Sequence, residues 1–166
     1  MNTIKVRDIE IGAGAPKIIV PIVGVTKDDI IAEAKTFYSI PVDMVEWRVD
    51  WFENVFEFDK VEEVLKELRD VLGNIPILMT FRTSKEGGEK AIEPEAYAKL
   101  NIQAAQTGYV DFVDVEIFTG DEIVKKIIDG VHAAGARVIA SNHDFFKTPA
   151  QSDIVYRLRK MQDMGA

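Results

Sequence analysis

The chain has 166 residues, of which 47% are hydrophobic and 29% are charged, and it carries a formal net charge of −8 at pH 7. A chain of this size and composition can bury a substantial core, and the absence of cysteine excludes disulfides, thiolate metal sites and a cysteine nucleophile. The acidic charge argues against nucleic-acid binding, and the sequence shows neither a signal peptide nor an apolar run of about 18 residues. We therefore expect a cytoplasmic protein without a membrane span.

Residues 1–16 predict a hairpin and a lead-in. Two short β-branched runs, Ile4-Lys5-Val6 and Ile9-Glu10-Ile11, flank Arg7-Asp8, and residues 12–16 are rich in Gly, Ala and Pro. This pattern is typical of a small antiparallel hairpin, which can plug one end of a barrel.

Residues 17–166 alternate between apolar runs and stretches with helical spacing. The apolar runs predict five strands buried on both faces, at residues 18–23, 44–49, 75–81, 112–116 and 138–141. Each run is followed by a stretch whose apolar residues recur every three or four positions, as at Val61, Val64, Leu65 and Leu68. We predict one domain, 1–166, with five βα units in residues 17–166.

The helix boundaries carry residues that favour helix ends. Thr26 or Asp28 can cap the first helix, Pro94 sits in a first turn, Gly108 and Gly135 follow helix ends, and Pro149 opens the last helix, which ends near Met164.

Alternating strands and helices predict an α/β protein with a parallel sheet, which either closes into a barrel or stays open in a flavodoxin-like arrangement. No glycine-rich phosphate loop follows the first strand, and polar residues cluster at the carboxyl ends of the later strands. This favours a (β/α)8 TIM barrel, of which the sequence holds only about the first five units, because a complete barrel has about 250 residues.

Polar residues at strand ends are the candidate site, because a barrel builds its active site there. Glu46, Arg48 and Asp50 alternate along the second strand, so they point into the barrel together, either for substrate recognition or as an internal salt bridge. Arg82 ends the third strand at the rim, before a loop that contains Gly87 and Gly88.

The fourth and fifth strands end in further polar residues. Asp114 and Glu116 share one orientation and can be solvated, hydrogen-bonded or metal ligands. His143 follows the fifth strand, where it is positioned to move protons, although one histidine beside an asparagine is a weak motif. His132 falls near a helix end and is interpreted as a surface or packing residue.

Four segments taken together carry a family resemblance: residues 46–50, 80–88, 118–121 and 141–145, which read EWRVD, TFRTSKEGG, FTGD and SNHDF. In order and spacing they resemble the motifs of type I 3-dehydroquinate dehydratases. The resemblance implies a (β/α)8 barrel and a lyase of the shikimate pathway, and so of aromatic amino acid biosynthesis, that removes water from 3-dehydroquinate to give 3-dehydroshikimate. It implies neither a metal nor an organic cofactor, and it implies a homodimer.

The resemblance also implies residue roles. His143 matches the histidine that removes and returns a proton, and Glu86 matches the glutamate that orients it. Glu46, Arg48 and Arg82 match substrate-binding residues. The family's imine-forming (Schiff-base) lysine is expected just beyond residue 166.

Pro21 is a departure from the family pattern, because it stands where some members have a serine that touches substrate, and proline offers neither a side-chain donor nor a backbone N–H. Lys85 and Lys147 are poor substitutes for the missing lysine, because an imine-forming amine needs a partly desolvated site. The alternatives to a lyase are a catalytically inactive half-barrel fragment that binds ligand or complements a second piece, and an unrelated open-sheet binding module.

Overall fold

A computed structural model describes residues 3–166, and the first element in it is the predicted hairpin. Strands β1 (Ile4–Val6) and β2 (Ile9–Ile11) pair antiparallel, with Ile4 opposite Ile11. Arg7 occupies the turn with a φ of 49°, an uncommon conformation for a residue other than glycine. Met1 and Asn2, which the predicted lead-in includes, lie outside the described residues.

Five parallel strands form one sheet in the order in which they occur along the chain. They are β3 (Ile19–Ile22), β4 (Met44–Arg48), β5 (Ile77–Thr80), β6 (Phe112–Glu116) and β7 (Arg137–Ser141). A flavodoxin-like sheet reverses direction after its first connection, whereas this order never reverses. The flavodoxin-like alternative is therefore wrong, and all five carboxyl ends lie along one edge.

A helix follows each strand of the sheet: α1 (Lys27–Thr36), α2 (Phe58–Leu72), α3 (Pro94–Gln106), α4 (Asp121–Ala133) and α5 (Gln151–Met164). Thr26 caps α1 in a reciprocal pair with Asp29, which decides between the two predicted caps. Pro94 is the first residue of α3, as predicted. The prediction that Pro149 opens the last helix is wrong by two residues, because Ala150 is the N-cap of α5. No helix between residues 3 and 166 has the length and apolar character to cross a bilayer.

The main core lies between the sheet and the helices, where Trp47, Leu65 and Ile127 are fully buried. All residues of β5 and β6 are buried, as predicted for strands covered on both faces. The prediction is wrong for β3, in which Ile19 is 43% exposed, and for β7, in which only Val138 is buried. Within residues 3–166, β3 is an edge strand that pairs only with β4, so its open side contacts solvent.

The hairpin covers the amino-terminal end of the sheet. Val6, Ile9 and Ile11 pack against a second buried cluster of Met44, Leu78 and Phe112. Asp111, just before β6, fixes this arrangement by accepting from Nε of Arg7 at 2.6 Å, from Arg69 at 2.8 Å and from the backbone N–H of Ile77 at 2.9 Å. The hairpin does not cover the opposite, carboxyl edge of the sheet, where the candidate functional residues lie.

Candidate active site

The side chain of Arg82, directly after the central strand β5, is the best enclosed cation at the carboxyl edge. Its guanidinium lies 3.0 Å from Asp114 and 3.0 Å from Glu116, both on β6, and donates to the Ser141 hydroxyl of β7 at 2.9 Å. The residue is only 6% exposed, so the predicted rim position is wrong. The cause is its central strand, because the neighbouring strand supplies two carboxylates that draw the guanidinium inward.

The charges of this cluster depend on one another. Burial disfavours the charged form of Arg82, but Asp114 and Glu116 outweigh burial and raise the pKa of the guanidinium above its ordinary value. Burial also raises the pKa of Asp114, against the opposing effect of Arg82. Of the three environments left open for Asp114 and Glu116, the hydrogen-bonded one is observed.

Glu116 also holds the start of the loop that follows β5. Its carboxylate accepts from the backbone N–H of Thr83 at 2.8 Å and from the Thr83 hydroxyl at 2.7 Å. Tyr97 of α3 supports the strand from behind, because its hydroxyl donates to the Asp114 carbonyl and accepts from the Glu116 N–H. Sequence reasoning missed Tyr97, because a tyrosine within a helix gives no signal that its hydroxyl reaches a strand.

Glu86 joins the loop after β5 to the segment after β7. One carboxylate oxygen lies 2.9 Å from Nδ1 of His143 and accepts from the His143 backbone N–H at 3.0 Å. The other oxygen accepts from the Asn142 side chain at 3.0 Å. Asn142 in turn accepts from Arg157 of α5 at 2.5 Å, so the pair is tied to that helix. The histidine assigned to proton transfer by resemblance and the glutamate assigned to orient it are therefore in direct contact.

The environment of the His143 ring suits proton transfer. A carboxylate that accepts from Nδ1–H holds the neutral ring in the tautomer whose Nε2 carries a lone pair. Phe145 stacks on the ring, with 6.1 Å between the two centroids and an interplanar angle of 14°. The imidazole is thus held at one nitrogen and on one face, while the side chain keeps 35% exposure.

The end of β4 carries the remaining predicted residues. Arg48 donates from Nε and from a terminal nitrogen to the two carboxylate oxygens of Asp50, at 2.9 and 2.8 Å. Asp50 lies in a short 3-10 helix, Val49–Trp51, and not on the strand, and it is fully buried. The salt bridge considered from the sequence is therefore present between Arg48 and Asp50. Glu46 is half-buried on β4.

A cleft of about 320 Å³ opens beside the Glu86–His143 pair. It is lined by these two residues and by others that include Thr83, Lys85, Glu116 and Phe118. Glu46 and Arg48 stand on β4, further along the same edge, and do not line this cleft. His132 is exposed on α4, away from the strand ends, as predicted. Among residues 3–166 no group of three His, Cys, Asp or Glu side chains is arranged to hold a metal ion.

Comparison with known families decides which group of proteins shares these features. The family model described as type I 3-dehydroquinase matches residues 18–166. The chain belongs to the type I 3-dehydroquinase family. The resemblance seen in the four sequence segments is thereby confirmed.

Curated relatives agree with the family. The 3-dehydroquinate dehydratase of Clostridioides difficile is 50% identical over 98% of this chain and 64% of its own length. That of Klebsiella pneumoniae is 47% identical over 99% of this chain and 66% of its own length. This type I 3-dehydroquinase chain thus spans about two thirds of the length of the curated relatives it matches.

Solved structures of the family superpose closely on the chain. The Clostridium difficile type I 3-dehydroquinate dehydratase with covalently modified comenic acid has a TM-score of 0.97 at 49% identity, over 99% of this chain and 65% of that one. The Geobacillus kaustophilus enzyme has a TM-score of 0.96 at 29% identity, over 99% of this chain and 64% of that one. The five-stranded parallel sheet is therefore consistent with a TIM-barrel-like dehydratase fold.

Proposed function

We propose that this chain forms five βα units of the (β/α)8 barrel of an enzyme that dehydrates 3-dehydroquinate to 3-dehydroshikimate, a step of the shikimate pathway. The observation that carries the proposal is the 2.9 Å contact between Glu86 and His143 at the carboxyl edge of a sheet of this family. A histidine held at Nδ1 by a carboxylate presents Nε2 as the group that takes up and returns a proton.

The proposed reaction proceeds through an imine. A lysine amine condenses with the substrate ketone and releases water, and the iminium then withdraws electrons from the neighbouring C–H bond. His143 takes this proton, the C–O bond of the adjacent hydroxyl breaks, and the hydroxyl leaves as water with a proton returned by His143. Hydrolysis of the imine restores the lysine and releases 3-dehydroshikimate.

Glu86 has two roles in this scheme. It fixes the orientation and tautomer of the imidazole, and its negative charge stabilises the imidazolium that forms after proton uptake. The Asn142 amide and the His143 backbone N–H hold the carboxylate in turn. Because the side chain of Glu86 is only 12% exposed, water screens this charge pair weakly.

Glu46, Arg48 and Arg82 are proposed to bind the hydroxyl and other polar groups of the substrate. Arg82 already pairs with Asp114 and Glu116, so its part in binding combines with a structural one. Pro21 lies beside Glu46 in the sheet register, and it offers neither a side-chain donor nor a backbone N–H to a ligand there.

The imine-forming lysine is proposed to belong to a sixth strand beyond residue 166. Within residues 3–166, Lys85 lines the cleft but is exposed, whereas an imine-forming lysine needs a partly desolvated site. Lys90 is engaged with the backbone carbonyls of Asp50 and Phe52 at 2.6 and 2.9 Å. A single domain, a homodimer and a cytoplasmic location remain predictions.

The test is intact mass spectrometry of the full polypeptide that the gene encodes, after incubation with 3-dehydroquinate and borohydride. Borohydride reduces an imine to a stable amine, so one covalent adduct per chain is expected. In the absence of borohydride, the protein should convert 3-dehydroquinate to 3-dehydroshikimate. A folded protein that neither gains mass nor releases 3-dehydroshikimate would contradict the proposal.

A further inference from the structure

Asp50 is a buried carboxylate whose surroundings differ from those of an ordinary structural ion pair. The preceding strand ends at Arg48, and the short helix Val49–Trp51 turns the Asp50 side chain into the protein, where it is fully buried. It does not line the cleft beside His143, so direct contact with a ligand there is excluded.

Each oxygen of this carboxylate accepts two hydrogen bonds, one from a nitrogen of the Arg48 side chain and one from a backbone N–H. One oxygen accepts from Nε of Arg48 at 2.9 Å and from the N–H of Arg82 at 3.2 Å. The other accepts from a terminal nitrogen of Arg48 at 2.8 Å and from the N–H of Glu89 at 3.1 Å. The carboxylate is thus fully satisfied, as a buried charge must be.

Three segments meet at Asp50, and each carries a residue of the proposed site. Arg48 belongs to β4, Arg82 follows β5, and Glu89 ends the turn that carries Glu86. Lys90 adds a further bond to the same point through the Asp50 carbonyl at 2.6 Å. A displacement of this carboxylate would therefore move several site residues at once.

The contact with Arg48 fixes the guanidinium in a plane. A carboxylate that binds Nε and one terminal nitrogen forms a two-pronged contact, which sets direction as well as distance. Among residues 3–166 the second terminal nitrogen of Arg48 has no hydrogen-bond partner, and the side chain remains 22% exposed. Its uncommitted donors are thus held in place for another group.

We propose that Asp50 is a positioning residue, which orients Arg48 to bind the substrate and keeps the ends of β4 and β5 in register. This inference rests on the proposed dehydration of 3-dehydroquinate. A buried ion pair is a weak source of stability compared with apolar packing, which fits a role in positioning.

The test compares Asp50→Asn with Asp111→Asn in the full polypeptide that the gene encodes. Asparagine keeps the volume of aspartate, but in either orientation its NH₂ group faces one nitrogen of Arg48, so one prong is lost. Asp111 is a matched control, since it too accepts from arginine side chains and a backbone N–H, but at the amino end of the sheet.

We expect Asp50→Asn to raise KM for 3-dehydroquinate about tenfold with a smaller effect on kcat, and Asp111→Asn to change KM less than about twofold. Both variants should lower the melting temperature, because each loses a hydrogen bond to a partly or fully buried carboxylate. In an Arg48→Ala background, Asp50→Asn should raise KM by a smaller factor than it does alone, because only its contacts with the N–H groups of Arg82 and Glu89 remain to be disturbed.

An active wild type whose KM is unchanged by Asp50→Asn would overturn the inference and leave the proposed function standing. The inference would also be overturned if the fold-changes in KM caused by Asp50→Asn and by Arg48→Ala simply multiply in the double variant. A wild type without dehydratase activity would overturn both. If Asp50→Asn does not fold, Arg48→Lys replaces it in the test. Lysine keeps the positive charge but lacks the planar guanidinium that binds the carboxylate through two nitrogens, so an unchanged KM would refute the positioning role of Asp50.

Discussion

Glu86 and His143 lie 57 positions apart in the chain, yet Oε2 of Glu86 is 2.9 Å from Nδ1 of His143. Their proximity follows from the sheet, because parallel strands in sequential order bring the loops after β5 and β7 to the same edge. The contact between Glu86 and His143 thus follows from topology, and each residue is carried by a different βα unit.

Replacing His143 with alanine should reduce turnover by about 10²–10⁴-fold, the usual contribution of a general acid–base group. Imine formation should persist, so borohydride should still trap an adduct. Steady-state kinetics and intact mass on the full polypeptide measure the two effects separately. His132→Ala, on the exposed surface of α4, is the control and should keep wild-type turnover. Normal turnover in the His143 variant would refute its assigned role.

Replacing Arg82 with alanine should lower the free energy of unfolding by about 3–5 kcal/mol, because Asp114 and Glu116 are left without their buried counter-charge. The affinity for substrate should fall as well. Urea unfolding measures the first effect. Arg159→Ala on the exposed face of α5 should change stability by less than about 0.5 kcal/mol. Equal stability of the two variants would mean that the Arg82 cluster contributes nothing to folding.

Replacing Gly88 with alanine should distort the loop that carries Glu86. An added Cβ would lie 1.8 Å from the carbonyl oxygen of Arg82, which is backbone and cannot rotate away. We expect a loss of about 3 kcal/mol in unfolding free energy, at the upper end of overpacking effects. At Gly135 the Cβ would meet nothing within 4 Å, but φ is +87°.

Gly135→Ala is therefore the control for backbone strain alone, with an expected cost of about 1–2 kcal/mol. A Gly88 variant that is as stable as this control would show that the loop relaxes freely.

Tyr97 should make the protein sensitive to alkali. Burial, assisted by the nearby Asp114 charge, raises the pKa of its phenol above the ordinary value of about 10. The unfolded chain then releases this proton at a lower pH than the folded chain, so the contribution of Tyr97 to stability is complete below about pH 10 and declines above it, by up to about 1.4 kcal/mol per pH unit.

In Tyr97→Phe this part of the alkaline decline should vanish, at a cost of about 1–3 kcal/mol at neutral pH for the unpaired backbone groups of β6. Urea titrations between neutral and alkaline pH measure it. The exposed Tyr156→Phe should retain the wild-type slope, and an unchanged slope in the Tyr97 variant would refute the assignment.

The sequence predicted the fold well because the fold depends on periodicity. The five strands and Thr26 and Pro94 at the helix starts follow from local patterns, whereas the exposure of β3 depends on what covers its open side. For the site, alternation along β4 indicated Arg48 and Asp50 but not the 3-10 turn that buries Asp50. The pairing of Glu86 with His143 was predicted only from the family resemblance. The burial of Arg82 depends on Asp114 and Glu116, which lie on another strand and which local patterns do not connect to it.

The hairpin at the amino end of the sheet has a consequence for the order of folding. Its turn residue Arg7 binds Asp111, which is 104 positions later in the chain. On the ribosome, strands β1 and β2 emerge before the five-stranded sheet, and their anchor Asp111 is synthesised only just before β6. Contacts of such long sequence separation form late, since closing the loop costs chain entropy before any contact offsets it. The hairpin is thus synthesised before the sheet that it covers but docks after most of that sheet has assembled.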